Sequence, residues 1–359
     1  MLSVLYSLLE VLIVLVPILL SVAFMTIIER KVLASMQRRV GPNVVGYFGI
    51  MQPFADALKL VVKETVVPQH ATRSLFFLAP VISLVFSLLG WAVIPFGSGL
   101  ALSDFSLGIL YSLAISSIGV YGILFAGWSA NSKYAFLGSL RSTAQMISYE
   151  LILSSAVLAV ILLTGTFHYT SIIESQQSVW FIIPLLPLFI VFFISVLAET
   201  NRTPFDLPEA ESELVAGFFT EHSSIIFVFF FLAEYSSIVL MSTFSAILFL
   251  GGYIMPEIFA NDTFINIQSV ILGLKTCIFC FIFVWFRATL PRIRYDQLMH
   301  LCWVGMLPIV IALIILVPCI LVAFDIAPLL LNGLIIWVVL NRTRLKIKAN
   351  ILWMLNQIF

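Results

Sequence analysis

Charge is scarce in this 359-residue sequence: Asp, Glu, Lys and Arg together make up 10% of it. A soluble domain carries about 25%, and here 62% of residues are apolar with a mean hydropathy of +1.14, so a water-soluble globule is excluded. Basic and acidic residues balance at 18 each, which rules out a broad basic face for nucleic acid. The four histidines, His70, His168, His222 and His300, have no ligand spacing, so no metal or haem site is expected. Cys277, Cys280, Cys302 and Cys319 sit in or beside apolar runs, where neither a disulfide framework nor a metal knuckle is expected. The Cys277-x-x-Cys280 pair lies among Phe, Ile and Val without a second pair and reads as core packing. No P-loop, no dinucleotide-binding glycine pattern and no nucleophile with a base close in sequence is visible. No catalytic residue and no bound redox cofactor is therefore expected in this chain. The start lacks a basic n-region, a cleavage site and an Arg/Ser-rich leader, so no removable targeting segment is expected. The 32 phenylalanines suit an AT-rich, organellar gene.

What is present is a series of long apolar runs, near 5–28, 74–95, 106–128, 146–166, 180–198, 222–250, 266–286 and 303–323. Each is continuously apolar over about 20 residues, which fits a spanning helix and not a shorter, alternating barrel strand. The sequence thus predicts an all-α polytopic membrane protein with eight core transmembrane helices. The alternate loops on one side carry 13 Lys and Arg: Arg30, Lys31, Arg38, Arg39, Lys59, Lys63 and Arg73, then Lys133 and Arg141, then Arg202, then Arg287, Arg292 and Arg294. The loops on the other side carry none, which puts the first loop in the cytoplasm or matrix and the N-terminus opposite. Eight spans would strand Arg342, Arg344, Lys346 and Lys348 on the wrong side. A short ninth span over 326–340 returns them. The expected organisation is one membrane domain over 1–323, with long loops at 29–73 and 199–221, and a C-terminal extension at 324–359.

In the first loop Phe54, Ala57, Leu58, Val61 and Val62 share a helical face while Asp56, Lys59, Lys63 and Glu64 lie off it. This reads as an interfacial amphipathic helix, the alternative being a charged loop that only anchors orientation. The stretch 198–221 carries Glu199, Asp206, Glu209, Glu211, Glu213 and Glu221 against the single Arg202. Pro208 suits the first turn of a helix, whose dipole favours ionised Glu209, Glu211 and Glu213, whereas crowding of like charges favours shared protons. Glu234, Glu150 and Lys275 lie inside apolar runs, where ionisable groups face a bundle interior or a watery path. Two readings stand: a carboxylate chain leading inward from the surface cluster, or buried ion pairs such as Lys275 with Glu150 or Glu234 that only fix helix register. Glu10 reads as a snorkelling residue at the outer end of the first span.

The segments ERKVLASMQRRVGPN from Glu29, AETNRTPFDLPEAESELVAGF from Ala198, AEY from Ala233 and RATLPRIRYDQLMHLCW from Arg287 closely resemble the subunit 1 family of the NADH:ubiquinone oxidoreductases, respiratory complex I, over residues 1 to about 323. The resemblance implies a membrane subunit at the junction with the hydrophilic arm. There it would help form the chamber where ubiquinone, the substrate, accepts electrons from an iron–sulfur cluster. FMN and the iron–sulfur clusters would belong to partner subunits. It further implies Arg30, Phe218 and Phe219 as quinone-lining candidates. A coupling path would run over Glu199, Asp206, Glu209, Glu211, Glu213, Glu221, Glu234 and Glu150, with Arg202 pairing inside the loop. Expected partners are the hydrophilic quinone-site subunits, adjacent small membrane subunits and lipid, and no nucleic acid. The expected location is the mitochondrial inner membrane, with the N-terminus in the intermembrane space and the long charged loops in the matrix. Rival readings are a free-standing ion transporter, for which no inverted repeat is visible, an inert anchor, and the related membrane subunit of energy-converting hydrogenases.

The charge count yields a direct test: in sealed vesicles, protease should reach residues 342–348 from the same side as the first loop. Cleavage from the opposite side would show that the ninth span does not exist.

Overall fold

A computed structural model describes residues 2–207, 215–255 and 267–323. Glu209, Glu211, Glu213, the expected ninth span and its basic tail lie outside the described residues. The described chain is helical and contains no strand. In order come α1 (Leu2–Met36), α2 (Gln52–Val62), α3 (Arg73–Leu89) running on into a 3₁₀ turn at Gly90–Val93, α4 (Gly108–Ala130), α5 (Lys133–Thr164), α6 (Tyr169–Glu174), α7 (Leu186–Glu199), α8 (Ile225–Leu250), α9 (Gln268–Thr289), α10 (Tyr295–His300), a π-helical turn Leu301–Met306, and α11 (Leu307–Ala323). Among the described residues, seven helical stretches are long and apolar enough to cross a bilayer. The fifth apolar run gives a shorter apolar helix, α7, of 14 residues, about 21 Å long. Pro187 sits in its first turn, where a missing N–H costs nothing, so residues 180–185 form turns before it.

The fourth helix begins at Lys133, well before the expected apolar run at 146–166. Ser132 caps it by accepting from the Ala135 N–H at 3.3 Å. Its first half is polar in sequence yet buried, with Ser139, Ser142, Thr143 and Gln145 inside, because small residues let neighbouring backbones approach. A Cβ on Gly138 would come within 2.9 Å of the Gly217 Cα, so the 3₁₀ turn Gly217–Phe219 packs directly on the α5 backbone. Hydropathy alone misses such a segment.

The main core gathers residues of α5, α7, α8 and α9, including Tyr149, Leu153, Val157, Phe192, Val196 and Phe249. Phe189, Phe192, Phe193, Phe249, Phe279 and Phe283 form a run of ring contacts between centroids 5.0 to 6.2 Å apart. A smaller cluster joins Phe76, Ala126, Phe218 and Phe230 where α3, α4 and α8 meet the Gly217–Phe219 turn. Of the cysteines, Cys280 and Cys302 are buried as expected, whereas Cys277 and Cys319 are exposed on outer helix faces, where a weakly polar thiol is tolerated against an apolar surrounding.

Lys275 does not pair with Glu150 or Glu234. Its Nζ donates to the carbonyls of Leu250, Gly252 and Ile254 at 2.7, 2.8 and 2.7 Å and lies 5.0 Å from the centre of the Trp180 ring. The end of α8 leaves carbonyls without helical partners, and a cation there is favoured by the helix dipole. Charge-assisted bonds of this kind contribute about 1.5–3 kcal/mol each. Lys275→Met, which keeps the stem and removes the donors, should lower the thermal midpoint of the assembled membrane protein by several degrees. An unchanged midpoint would show that this cap contributes nothing.

Candidate functional site: a buried charge cluster beside a serine-lined cavity

Four separate segments converge on one carboxylate. Glu29, near the end of α1 and 4% exposed, accepts from Arg202 Nη1 at 3.3 Å, from the Tyr235 hydroxyl at 2.7 Å and from Arg287 Nη1. Arg202, also buried, turns its Nε toward Glu234 Oε1 at 3.0 Å and lies 4.4 Å over the Tyr235 ring. One guanidinium is thus shared between Glu29 on α1 and Glu234 on α8. The Arg202 loop is fixed by Gln145 Nε2, which donates to the carbonyls of Ala198 and Phe205 at 2.8 and 2.9 Å. It is fixed again by Arg292, whose Nη2 meets the buried Asp206 Oδ2 at 3.0 Å, and by Ile293 N–H donating to Pro204 O at 3.1 Å.

Beside this cluster lies a partly open cavity of about 140 Å³, bounded by α3, α4, α5, α7, α8 and the Gly217–Phe219 turn. Glu199 and Glu234 both line it, together with Asn201, Phe218, Phe219 and the hydroxyls of Ser83, Ser87, Ser112, Ser116 and Ser237. Glu199 Oε2 is buried without a hydrogen-bond partner among the described residues. Phe218 and Phe219 meet as tilted rings with centroids 4.0 Å apart and reach Phe230 at 5.5 and 5.8 Å, forming the aromatic wall. Glu150 lies near the middle of α5 rather than just inside it, about 26 Å from the start of the helix, because α5 begins at Lys133. It accepts from Ser116 at 3.3 Å and from Ser117, so a cavity-lining hydroxyl links it to the chamber.

Two expected residues sit elsewhere. Glu221 is half-buried in the turn before α8 and has no ion pair among the described residues. Arg30 is exposed and pairs with Asp56 of α2 at 2.7 Å, while Gln52 bonds the other Asp56 oxygen at 3.0 Å. The polar edge of α2 is therefore fastened to α1, and Phe54, Leu58, Val61 and Val62 are left exposed. The far end of α2 is held by Ser224, whose hydroxyl lies 3.1 and 2.5 Å from the carbonyls of Leu60 and Lys63. Next to it His222 is buried, stacked on Phe76 at 4.4 Å, and burial pushes its pKa down to about 4, so it is neutral at physiological pH.

Glu29, Tyr235, Arg287 and Arg292 join the site without being marked by sequence reasoning, though all four stand in the motif segments quoted above. The available signal is charge balance: an acidic loop with one arginine needs cations from elsewhere on the same side. The nearest supply is the loop with Arg287 and Arg292. Among the described residues no group of three or more His, Cys, Asp or Glu is arranged to hold a metal ion.

The segments that build this cluster lie within the part of the chain that known proteins match. A family model described as NADH dehydrogenase matches residues 9–318. The chain belongs to the NADH dehydrogenase family. It is 77% identical over 330 residues to the NADH-ubiquinone oxidoreductase chain 1 of Mycosarcoma maydis, covering 91% of this chain and 100% of that protein. It is 58% identical over 360 residues to the protein of the same name from Podospora anserina, covering 91% and 98%. The protein of that name from Chondrus crispus is 50% identical over 321 residues, covering 89% and 98%. The resemblance to subunit 1 of the NADH:ubiquinone oxidoreductases is thus borne out along the whole of the motif-bearing region, and in this NADH dehydrogenase member the charge cluster lies inside the matched span.

Removing one partner of a buried ion pair costs about 3–5 kcal/mol. Arg202→Met should therefore sharply reduce the amount of assembled complex on native gels, with Arg202→Lys falling between, since lysine keeps the charge but not the forked donors. Wild-type levels for Arg202→Met would show that Glu29 and Glu234 do not depend on it.

Proposed function

We propose that this chain is a core membrane subunit of a proton-pumping NADH:ubiquinone oxidoreductase, where it helps form the ubiquinone chamber and couples quinone reduction to proton translocation. The names of its relatives support the first part. One observation carries the coupling: Glu199 and Glu234, on different helices, line a single serine-lined cavity, and Glu234 is held by an arginine that a second carboxylate, Glu29, also holds. A purely structural ion pair needs no chamber beside it.

Reduction of ubiquinone to ubiquinol takes two electrons and two protons, the electrons arriving from iron–sulfur clusters in a hydrophilic partner that also relays from FMN. The groups supplied here bind, orient and hold protons. Phe218 and Phe219 form an aromatic wall, and Arg30 fastens α2, whose exposed apolar face suits an interfacial helix beside a lipid-open entrance for the quinone tail. Charge change at the quinone alters the 199–221 loop with its Asp206, Glu209, Glu211, Glu213 and Glu221. Arg202 then leans toward Glu29 and away from Glu234, which favours the protonated form of Glu234. The cavity hydroxyls and intervening water connect Glu234 to Glu199 and, through Ser116, to Glu150.

In this reading α7 is a short fifth crossing that brings the total to eight, residues 326–340 form a ninth, and residues 1–323 make one membrane domain followed by a basic extension. Thirteen basic residues on one side and none on the other support an N-terminus in the intermembrane space and charged loops in the matrix, within the mitochondrial inner membrane. Partners are the hydrophilic quinone-site subunits, small adjacent membrane subunits and lipid.

After gentle extraction and native separation, the chain should co-migrate with NADH:ubiquinone reductase activity that quinone-site inhibitors abolish. Migration alone or with a hydrogenase would overturn the assignment. Glu199→Gln, Glu211→Gln and Glu234→Gln should each lower coupled turnover at least about tenfold, a loss of ~1.4 kcal/mol of coupling. Normal quinone reduction and pumping in all three would sink the carboxylate chain.

A further inference from the structure

The cavity has an outward continuation that the proposed mechanism does not use. A second, much smaller chamber of about 20 Å³ shares Gly90, Ser112, Ser116, Leu240 and Met241 with the first and ends against Ile94, Leu153, Tyr169 and Phe244. Ser112 lies in the first turns of α4, Ile94 just past α3, and Tyr169 at the start of α6. By the charge count these are the ends that face the outer compartment.

We infer that Tyr169 is an insulating plug, which separates the Glu199–Glu234 chamber from the outer compartment and prevents protons there from short-circuiting the gradient. Tyr169 is 2% exposed. Its hydroxyl donates to Ser112 Oγ at 2.7 Å, and Ser112 in turn donates to the Ile109 carbonyl at 2.8 Å. The donor chain ends on a backbone carbonyl, which has no proton to hand on, so it offers no relay toward the outer side. Around that step the walls are Ile94, Leu113, Leu153 and Phe244, and a narrow apolar constriction excludes water. The fit is close: a Cβ on Gly108 would come within 2.8 Å of the Tyr169 ring, and Phe244 meets the ring edge-on at 6.1 Å.

The turn that carries the plug is held on both sides. Phe167 O accepts from Ile109 N–H at 3.2 Å, and His168 uses both ring nitrogens, Nε2 toward Asp104 at 2.8 Å and Nδ1 toward Thr170 Oγ1 at 2.5 Å. These contacts tie the α5–α6 turn to the segment that leads into α4, so ring and hydroxyl stay in register with Ser112. Tyr169 touches neither Glu199 nor Glu234. Its role follows from the two chambers and the hydrogen bonds, and it rests on the proposed proton path only for its physiological purpose.

The test uses Ser112→Cys in the assembled complex in sealed vesicles, treated from the outer side with a membrane-impermeant thiol reagent and compared with the labelling of the native cysteines. With Tyr169 present the new cysteine should stay unlabelled, and with Tyr169→Ala it should react at least tenfold faster. Labelling beside an intact Tyr169, or no labelling in either background, would overturn the plug. Tyr169→Leu, which keeps part of the apolar packing, carries the same comparison if the alanine variant does not assemble. In the single variant Tyr169→Ala, uncoupled NADH:ubiquinone reduction should hold while passive proton leak rises several-fold, and Glu234→Gln should suppress that leak. An opened plug with no added leak would overturn the insulating role, whereas an added leak that survives Glu234→Gln would count against the carboxylate path alone, so the two ideas fail separately.

Discussion

Glu29 is the group on which the geometry of the inner half depends. A buried carboxylate near the end of a membrane helix costs several kcal/mol unless its oxygens are met by charged donors. Here the donors come from three other places in the chain: Arg202 after α7, Tyr235 on α8 and Arg287 on α9. Satisfying that one anion fixes α1, α8, α9 and the acidic loop relative to each other. Arg202 is positioned as a by-product, and with it the Glu234 carboxylate that meets its Nε. The charge that orders the fold and the charge that lines the cavity are therefore held by the same guanidinium, so neither can be altered alone.

The cavity owes its character to serine more than to its two acids. Ser83, Ser87, Ser112, Ser116 and Ser237 each donate to a carbonyl three residues back in their own helix, to Pro80, Leu84, Ile109, Leu113 and Glu234 respectively. A hydroxyl satisfied in this way sits in a bilayer at little cost, and its hydrogen is occupied, except at Ser116, where it is shared between Leu113 O and Glu150. What faces the cavity is then the oxygen lone pair. A wall of acceptors favours a protonated carboxyl or a hydrated proton and disfavours an anion, which suits the proton exchange proposed between Glu199 and Glu234. It also explains why small residues recur on the helices that surround the chamber: a bulkier side chain at these positions fills the space and removes the acceptor together.

How much of this is legible in the sequence depends on the range of the interaction. Hydropathy runs locate the helices because a spanning segment announces itself locally, and the uneven loop charge is just as local. Boundaries fail where the local signal and the packing disagree. The polar first half of α5 is buried because Gly138 and small neighbours allow close backbone contact, a fact about the partner turn and not about α5 itself. Glu199, Glu234, Phe218 and Phe219 stand out in the sequence and meet in one cavity. Glu29 opens the first motif segment yet does not stand out, since a carboxylate at the end of a span reads as a solvated anchor until its three partners, up to 258 residues away, are brought to it. Lys275 fails the opposite way: charge complementarity pairs it with a glutamate, whereas unpaired carbonyls at the end of α8 have the stronger claim on it.

These features give the bundle two unlike ends. The inner end is crowded with paired charges that share partners, and sharing makes them responsive: a shift of Arg202 by a fraction of its reach changes which carboxylate is compensated. The outer end of the cavity has one tyrosine, one serine whose hydrogen is spent, and apolar walls. A conductor built from carboxylates and water has no intrinsic direction, because a protonated acid passes its proton to whichever neighbour is wetter. Direction comes from making one end electrostatically adjustable and the other dry. On the proposed path, coupling therefore rests as much on the apolar closure near Tyr169 as on the acids that attract attention in the sequence.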